Sequence, residues 1–270
     1  MDLRRYEAID LTRDGQILIA SFDRPEQLNA INSAVHRELE TLFVDADRDD
    51  DVKLVILTGK GRAFSAGGDL DWLLELNADP AASARAILGD RRIQSALLRM
   101  ETPIIAKVNG AAVGLGCSLA LFCDVVVAAS HAIFSDPHVS VGLVAGDGGA
   151  LLWPQLIGFA RARRYLLTGE SIKAGDAAAM GLITEAVDGD DLNDVVSAWA
   201  GRLLAQPEHA LRWTKASINA GLLVIANAVL DSAAGFENVT QIMPAHREKL
   251  EGMRASNRSR SSRRDADGDQ

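Results

Sequence analysis

Two kinds of residue in this chain are equipped for chemistry: glycine-rich turns that bare the backbone, and a histidine followed closely by a carboxylate. The turns are Gly61-Arg62-Ala63-Phe64-Ser65-Ala66-Gly67-Gly68-Asp69-Leu70 and Val108-Asn109-Gly110-Ala111-Ala112-Val113-Gly114-Leu115-Gly116-Cys117-Ser118. Small residues let a ligand approach the main chain, and each turn runs into a helix whose first N–H groups have no internal partner. Asp69 is placed to cap the first of these helices. Two helix starts could converge in this way on one negative oxygen. Tight turning and close helix packing are the other use of such glycines. Neither turn fits a Walker phosphate loop, and Gly114-Leu115-Gly116 is not the full dinucleotide fingerprint.

His138 stands in Ser135-Asp136-Pro137-His138, and nine positions later Asp147 stands in Gly146-Asp147-Gly148-Gly149. An imidazole with an ordinary pKa of about 6.5 can take a proton from water at neutral pH. A carboxylate on its second nitrogen would fix the tautomer and stabilise the imidazolium, so the pair makes a general base. A structural histidine and a helix N-cap are the plainer uses of these residues.

The elements that must position these groups read as follows. Residues 16–22 alternate apolar and polar side chains, as a half-buried strand does, and the turn Asp23-Arg24-Pro25 follows. Residues 33–44 carry a helical stripe of Val35, Leu39, Leu42 and Phe43, with Ser33 as N-cap. Residues 52–57, 103–108, 124–129 and 132–134 are predicted strands, and the chain from residue 148 onward is predominantly helical. This pattern predicts α/β repeats followed by an all-helical C-terminal part, with no linker between independent domains. The glycine turns follow strands, where open α/β folds place ligands.

The 270 residues are 48% apolar and can build a sizeable core. A net charge of −9 argues against a nucleic-acid partner. Cys117 and Cys123 lie in one apolar segment without disulfide-framework or metal-ligand spacing, and read as buried thiols. The N-terminus lacks a secretory signal pattern, and the apolar runs 104–108 and 119–129 are too short or too interrupted to cross a bilayer. A cytoplasmic location with no membrane partner is the expectation. Residues 254–270, rich in Arg, Ser and Asp, are expected to be a disordered tail.

Taken jointly and in order, four segments resemble the crotonase (enoyl-CoA hydratase/isomerase) superfamily: Arg24-Pro25-Glu26-Gln27-Leu28-Asn29-Ala30, Phe64 through Leu70, Val108 through Ala120 with Cys123-Asp124, and Gly142 through Gly149. The resemblance spans about residues 10–253. It implies an α/β spiral of ββα repeats over residues 1–200, then a helical trimerisation region over 201–253, in a homo-oligomer that is a trimer or a dimer of trimers. It also implies an acyl-CoA substrate, no metal, and no cofactor beyond the coenzyme A of the substrate itself. Gly68 and Leu115 would supply the two oxyanion-hole N–H groups, and Ala66 would offer its carbonyl to the adenine. Arg24 and Lys215 are candidates for the coenzyme A phosphates, with the Arg-rich tail as a further source of cations. Asp69, Trp72, Trp153 and Phe134 are candidates for the substrate site.

The chain departs from the hydratase pattern where those enzymes carry two glutamates, because Ser118 and His138 stand at the two positions. Ser118 reads as a small residue packed at a helix start. His138 with Asp147 resembles the crotonase-family β-diketone hydrolases, which cleave a carbon–carbon bond by a retro-Claisen reaction and also place an acidic residue, here Glu237, near the site. Their additional histidine is replaced by Leu115. The expected function is therefore acyl-CoA chemistry through a thioester enolate, with the His/Asp pair activating water or moving a proton. A conventional enoyl-CoA hydratase of fatty-acid-type β-oxidation and a non-catalytic crotonase-fold binding protein are the alternatives.

Overall fold

The computed structural model describes the backbone of residues 1–267 and the side chains of residues 1–257. The chain opens with the hairpin β1 (Ile9–Asp14) and β2 (Ile17–Phe22), followed by α1 (Ser33–Asp47). The cap of α1 is Asn32, whose side chain accepts from the Ala34 and Val35 N–H groups, and the expected cap Ser33 is the first helical residue. Next come β3 (Leu54–Gly59), the short β4 (Ala63–Ser65), α2 (Leu70–Ala78) and α3 (Pro80–Arg99). A second unit is β5 (Ile104–Val108), β6 (Ala111–Val113) and α4 (Leu115–Leu121). A third is β7 (Val125–Ala129), β8 (Ile133–Ser135) and α5 (Gly149–Thr168), the last kinked at Gly158. After β9 (Ile172–Lys173), α6 (Ala174–Ala179) and β10 (Glu185–Val187), the chain is helical in α7 (Leu192–Leu204), α8 (Glu208–Gln241) and α9 (Pro244–Asp267).

Each repeat gives one strand to a large sheet and one to a small sheet, which is the expected spiral. The large sheet has the order β1-β2-β3-β5-β7-β10 and the small one β4-β6-β8-β9. Only β1–β2 and β8–β9 are antiparallel. All six residues of β3 are buried, as a parallel strand covered on both faces requires. Its period of two divides them between two cores: Val55 and Leu57 join the main cluster, whereas Leu54 and Ile56 pack with Leu192, Val196 and Ala200 of α7.

The small sheet sets up the chemistry. β4, β6 and β8 run parallel side by side, pairing Ser65 with Ala112 and Val113 with Ser135. The two glycine turns and the Asp136–His138 segment therefore leave the same edge, at the carboxyl ends of neighbouring strands.

The C-terminal part has two features beyond the expected helices. α9 continues as helix through Asp267, across most of the expected disordered tail, and residues 268–270 lie outside the described residues. Leu250 is buried and Arg254 pairs with Asp71 at 3.1 Å, so the helix is anchored early and its extension costs only propagation, to which Arg and Ala are well suited. Among the described residues, α8 is long and apolar enough to cross a membrane by length and composition. Its buried positions nevertheless include Lys215, Glu237 and Gln241.

Candidate active site

The hydrogen bonds of the first glycine turn single out one amide. Ala66 N–H donates to Leu28 O (3.0 Å), Gly67 N–H to Ser65 Oγ (3.2 Å) and Asp69 N–H to Ile31 O (2.9 Å). In the second turn Gly114 N–H donates to Ser135 O (2.9 Å), and Leu115 opens α4 with an N–H that the helix itself does not bond. Among the described residues neither Gly68 N–H nor Leu115 N–H has an acceptor.

The two turns touch. Gly67 has φ 84°, and a Cβ built there would lie 2.8 Å from the Val113 carbonyl oxygen. Gly114 has φ 52°, and its Cβ would lie 3.9 Å from Gly67 Cα and 3.6 Å from His138 Cε1. A side chain at Gly67 would force the turns apart, whereas at Gly114 a Cβ would meet ordinary contact distances and it is the positive φ that favours glycine. The His138 ring thus stands beside the second turn where it meets the first.

His138 is held between two carboxylates. Its Nδ1 lies 2.5 Å from Asp136 Oδ1, and its Nε2 lies 3.3 Å from Asp147 Oδ2 in an ionic contact without hydrogen-bond alignment. The expected His138/Asp147 encounter is present, whereas Asp136 was not anticipated as a partner. Ser118 Oγ donates to Asp147 Oδ1 at 2.9 Å, so this serine orients the acid and is more than a small packing residue. The N-cap residue of α5 is Gly148, and the Asp147 carboxylate faces the N–H of Gly149, the first residue of that helix. All four residues are buried.

Burial opposes charge on His138, but Asp147 and Asp136 outweigh it and hold its pKa well above the ordinary histidine value. Burial would likewise raise the Asp147 carboxyl, and the imidazolium beside it more than compensates, leaving it below its usual range. In the free site His138 is therefore charged at neutral pH. It acts as a base only above the ordinary histidine range, which corrects the expectation of a ring near 6.5. The oxygens and nitrogens of Asp136, His138 and Asp147 lie within 4.8 Å of one another. The carboxylates occupy opposite edges of the ring, as in an ion triad and unlike ligands converging on one ion.

Glu237 of α8 joins this group from the other side. It is buried, its Oε2 has no partner among the described residues, and a side chain at Gly146, next to Asp147, would collide with it. Burial, reinforced by the Asp147 charge, pushes its carboxyl well above the ordinary value and favours the protonated form. Above the ordinary glutamate range the unfolded chain releases this proton while the folded chain keeps it, so stability falls as pH rises until the folded group itself titrates. Glu237→Gln removes that dependence. Thermal and urea unfolding should show the variant gaining on the native protein above pH ~4, by up to about 1.4 kcal/mol per pH unit, with the difference flat below that pH. A pH-independent difference would mean that Glu237 is ionised in the folded protein.

A second, partly buried dyad lies on the α1–α3 side. His36 Nε2 is 2.9 Å from Asp90 Oδ1, and Gln94, one turn along α3, donates to Gly146 O at 3.2 Å. Burial raises the Asp90 carboxyl against the opposing pull of His36; the His36 ring is in turn held above its usual value by Asp90, which prevails over burial. Sequence reasoning missed this pair, whose members are 54 residues apart.

This arrangement can be compared with known proteins. The family model described as enoyl-CoA hydratase/isomerase matches residues 12–257. The chain belongs to that family. It is 32% identical to a short-chain-enoyl-CoA hydratase of Clostridium acetobutylicum, over 84% of this chain and 85% of that protein. An enoyl-CoA hydratase/isomerase from Mycobacterium paratuberculosis superposes with a TM-score of 0.88 at 39% identity, over 91% of this chain and 98% of that one. A β-diketone hydrolase from the cyanobacterium Anabaena superposes with a TM-score of 0.81 at 29% identity, over 89% and 96%.

Within this enoyl-CoA hydratase/isomerase fold the remaining candidates separate. Arg24 Nη2 pairs with Asp69 Oδ2 at 3.0 Å while Asp69 Oδ1 caps α2, so the two tie the Asp23-Arg24-Pro25 turn to the end of the first glycine turn. Asn29, which sequence reasoning left unassigned, is buried and donates to the Lys60 and Ala63 carbonyls at 2.8 Å each, holding β4 in place. Trp72 is half-buried, with its indole 5.1 Å from the His36 ring. Three candidates are corrected. Lys215 is buried and bound to Asp124 Oδ2 (2.7 Å) and Thr102 O (2.9 Å), so its ammonium is spent on a structural ion pair and does not reach a phosphate. Phe134 and Trp153 are wholly enclosed in the main core, the latter against Tyr165, and line no pocket. Cys117 and Cys123 are free, buried thiols as expected, and burial raises both.

Proposed function

We propose that this protein transforms an acyl-CoA thioester through an enolate whose oxygen is held by the Gly68 and Leu115 N–H groups, with His138 and Asp147 moving the proton. The observation that carries this reading is the pair of amides without acceptors on touching turns, with the His138 ring beside them. Charge that develops on a thioester oxygen is stabilised by preorganised N–H donors without any rearrangement at the moment of reaction. His138 and Asp147 titrate as a unit, taking a proton from water or from the substrate carbon. Asp136 fixes the ring by its bond to Nδ1, and Ser118 fixes Asp147. Glu237, protonated and facing the Asp147 segment, returns a proton to the enolate carbon. Ala66, Arg24, Asp69 and Trp72 remain the proposed contacts for coenzyme A and the acyl chain. No cofactor beyond coenzyme A is invoked.

Hydrolytic carbon–carbon cleavage is the variant that the His138–Asp147 contact and the protonated Glu237 favour over simple hydration. Water activated by the pair would attack a β-ketone, and the departing enolate would occupy the two amides. Incubation with crotonyl-CoA, a β-ketoacyl-CoA and a cyclic 1,3-diketone, followed by mass spectrometry, separates these reactions. Turnover of either thioester is the expected result. Turnover of the free diketone alone would remove coenzyme A from the account, and no reaction together with no thermal shift at saturating coenzyme A would favour a non-catalytic binding role. A homo-oligomer built through the C-terminal helices is also part of the proposal, since α8 exposes Trp213, Ile218, Val224 and Phe236.

A further inference from the structure

His246 takes no part in the chemistry above, yet it is fully enclosed, with 0% of its surface exposed. It sits in the first turn of α9, and its Nδ1 lies 2.6 Å from the Val141 carbonyl oxygen. A carbonyl only accepts, so the ring carries its proton on Nδ1. Its Nε2 is buried and has no partner among the described residues. Burial holds this ring below the ordinary histidine value, and the His138 charge pushes the same way, so His246 is a neutral donor while His138 is charged.

Val141 closes the single 3-10 turn His138–Val141 that His138 opens. Gly142 caps this turn at φ 78°, and a Cβ there would lie 3.3 Å from the His246 backbone, so α9 abuts the turn directly. The same stretch of chain is anchored to α2. Asn77 donates to the Gln241 and Met243 carbonyls (2.6 and 3.2 Å) just before α9 begins, and Arg254 pairs with Asp71 near the start of α2. α9 therefore spans from the helix capped by the first glycine turn to the turn that carries His138.

We propose that His246 is a positioning residue for His138: its Nδ1–H bond to Val141 holds the 138–141 turn against α9 and so keeps the His138 ring between Asp136 and Asp147. The proposal depends on the role assigned to His138, so its test reads the His138 ring itself and needs no turnover. In the full chain with ring-labelled histidine, the five histidines can be followed by NMR as pH is varied. His246→Asn keeps a donor near the Nδ1 position. His246→Leu removes it, and His246→Gln places its amide nitrogen near Nε2 instead.

The native protein and His246→Asn should show His138 titrating well above the ordinary histidine range. In His246→Leu and His246→Gln the His138 midpoint should fall by about one pH unit as its carboxylate contacts loosen. The Gln variant, polar and close in volume, carries the comparison if the Leu variant does not fold. An unchanged His138 titration in the donor-deleted protein, or an equal fall in the Asn and Gln variants, would overturn the proposal. A fall of the His138 midpoint in the donor-deleted variants, together with full turnover in His138→Ala, would count against the catalytic reading and leave the positioning reading intact.

Discussion

Replacing His138 with alanine should lower kcat/KM on the turned-over acyl-CoA by about 10²- to 10⁴-fold, the usual contribution of a positioned acid–base group. The fold should survive, because among the described residues the ring's polar partners are Asp136 and Asp147, and both carboxylates can protonate once the imidazolium is gone. The pH profile makes the claim specific. Asp147 and Asp136 hold the native ring in its charged form, so the rate should rise as pH passes above the ordinary histidine range and frees the base. His138→Ala should lose that limb as well as the rate. Asp136→Asn should shift the limb toward lower pH, since it removes one of the two charges that raise the ring. Efficient crotonyl-CoA hydration in His138→Ala, with the native pH profile, would show that the proton is moved by another group.

The parts that were legible in the sequence are those in which a local pattern reflects a local constraint. Strands at 103–108 and 124–129 are observed as β5 (Ile104–Val108) and β7 (Val125–Ala129), because short apolar runs bounded by turns have few other ways to pack. The glycine turns were visible because backbone approach requires small residues, and φ values of 84° at Gly67 and 52° at Gly114 bear out that requirement. Asp69 caps α2 as its position suggested.

What escaped were partnerships between distant segments. Lys215 was expected at a phosphate because nothing in its own neighbourhood reveals Asp124, 91 residues earlier. His36 and Asp90 share no motif and meet only because α1 packs on α3. Ser118 seemed a packing residue until the fold brought Asp147 within hydrogen-bond reach. Asp136 stood in plain view two residues before His138, and its signal was available: a second acid beside a histidine can take the remaining ring nitrogen.

The second large effect is expected at a backbone position. Leu115 is the first residue of α4, where proline is tolerated because its missing N–H has no partner inside the helix. Leu115→Pro therefore deletes the amide while leaving the start of the helix able to form. Leu115→Ala, by contrast, trims the buried side chain and keeps the donor. Both variants lose leucine packing, so the difference between them isolates the N–H. Gly68 still supplies one donor in the proline variant, so some catalysis should remain. The most direct measurement is kcat for the two variants on one acyl-CoA, with folding checked by circular dichroism. The account requires Leu115→Pro to fall about 10²- to 10³-fold below Leu115→Ala, the usual cost of losing one oxyanion donor. Equal kcat values in two folded variants would contradict it, because the Leu115 amide would then carry none of the charge that develops during turnover.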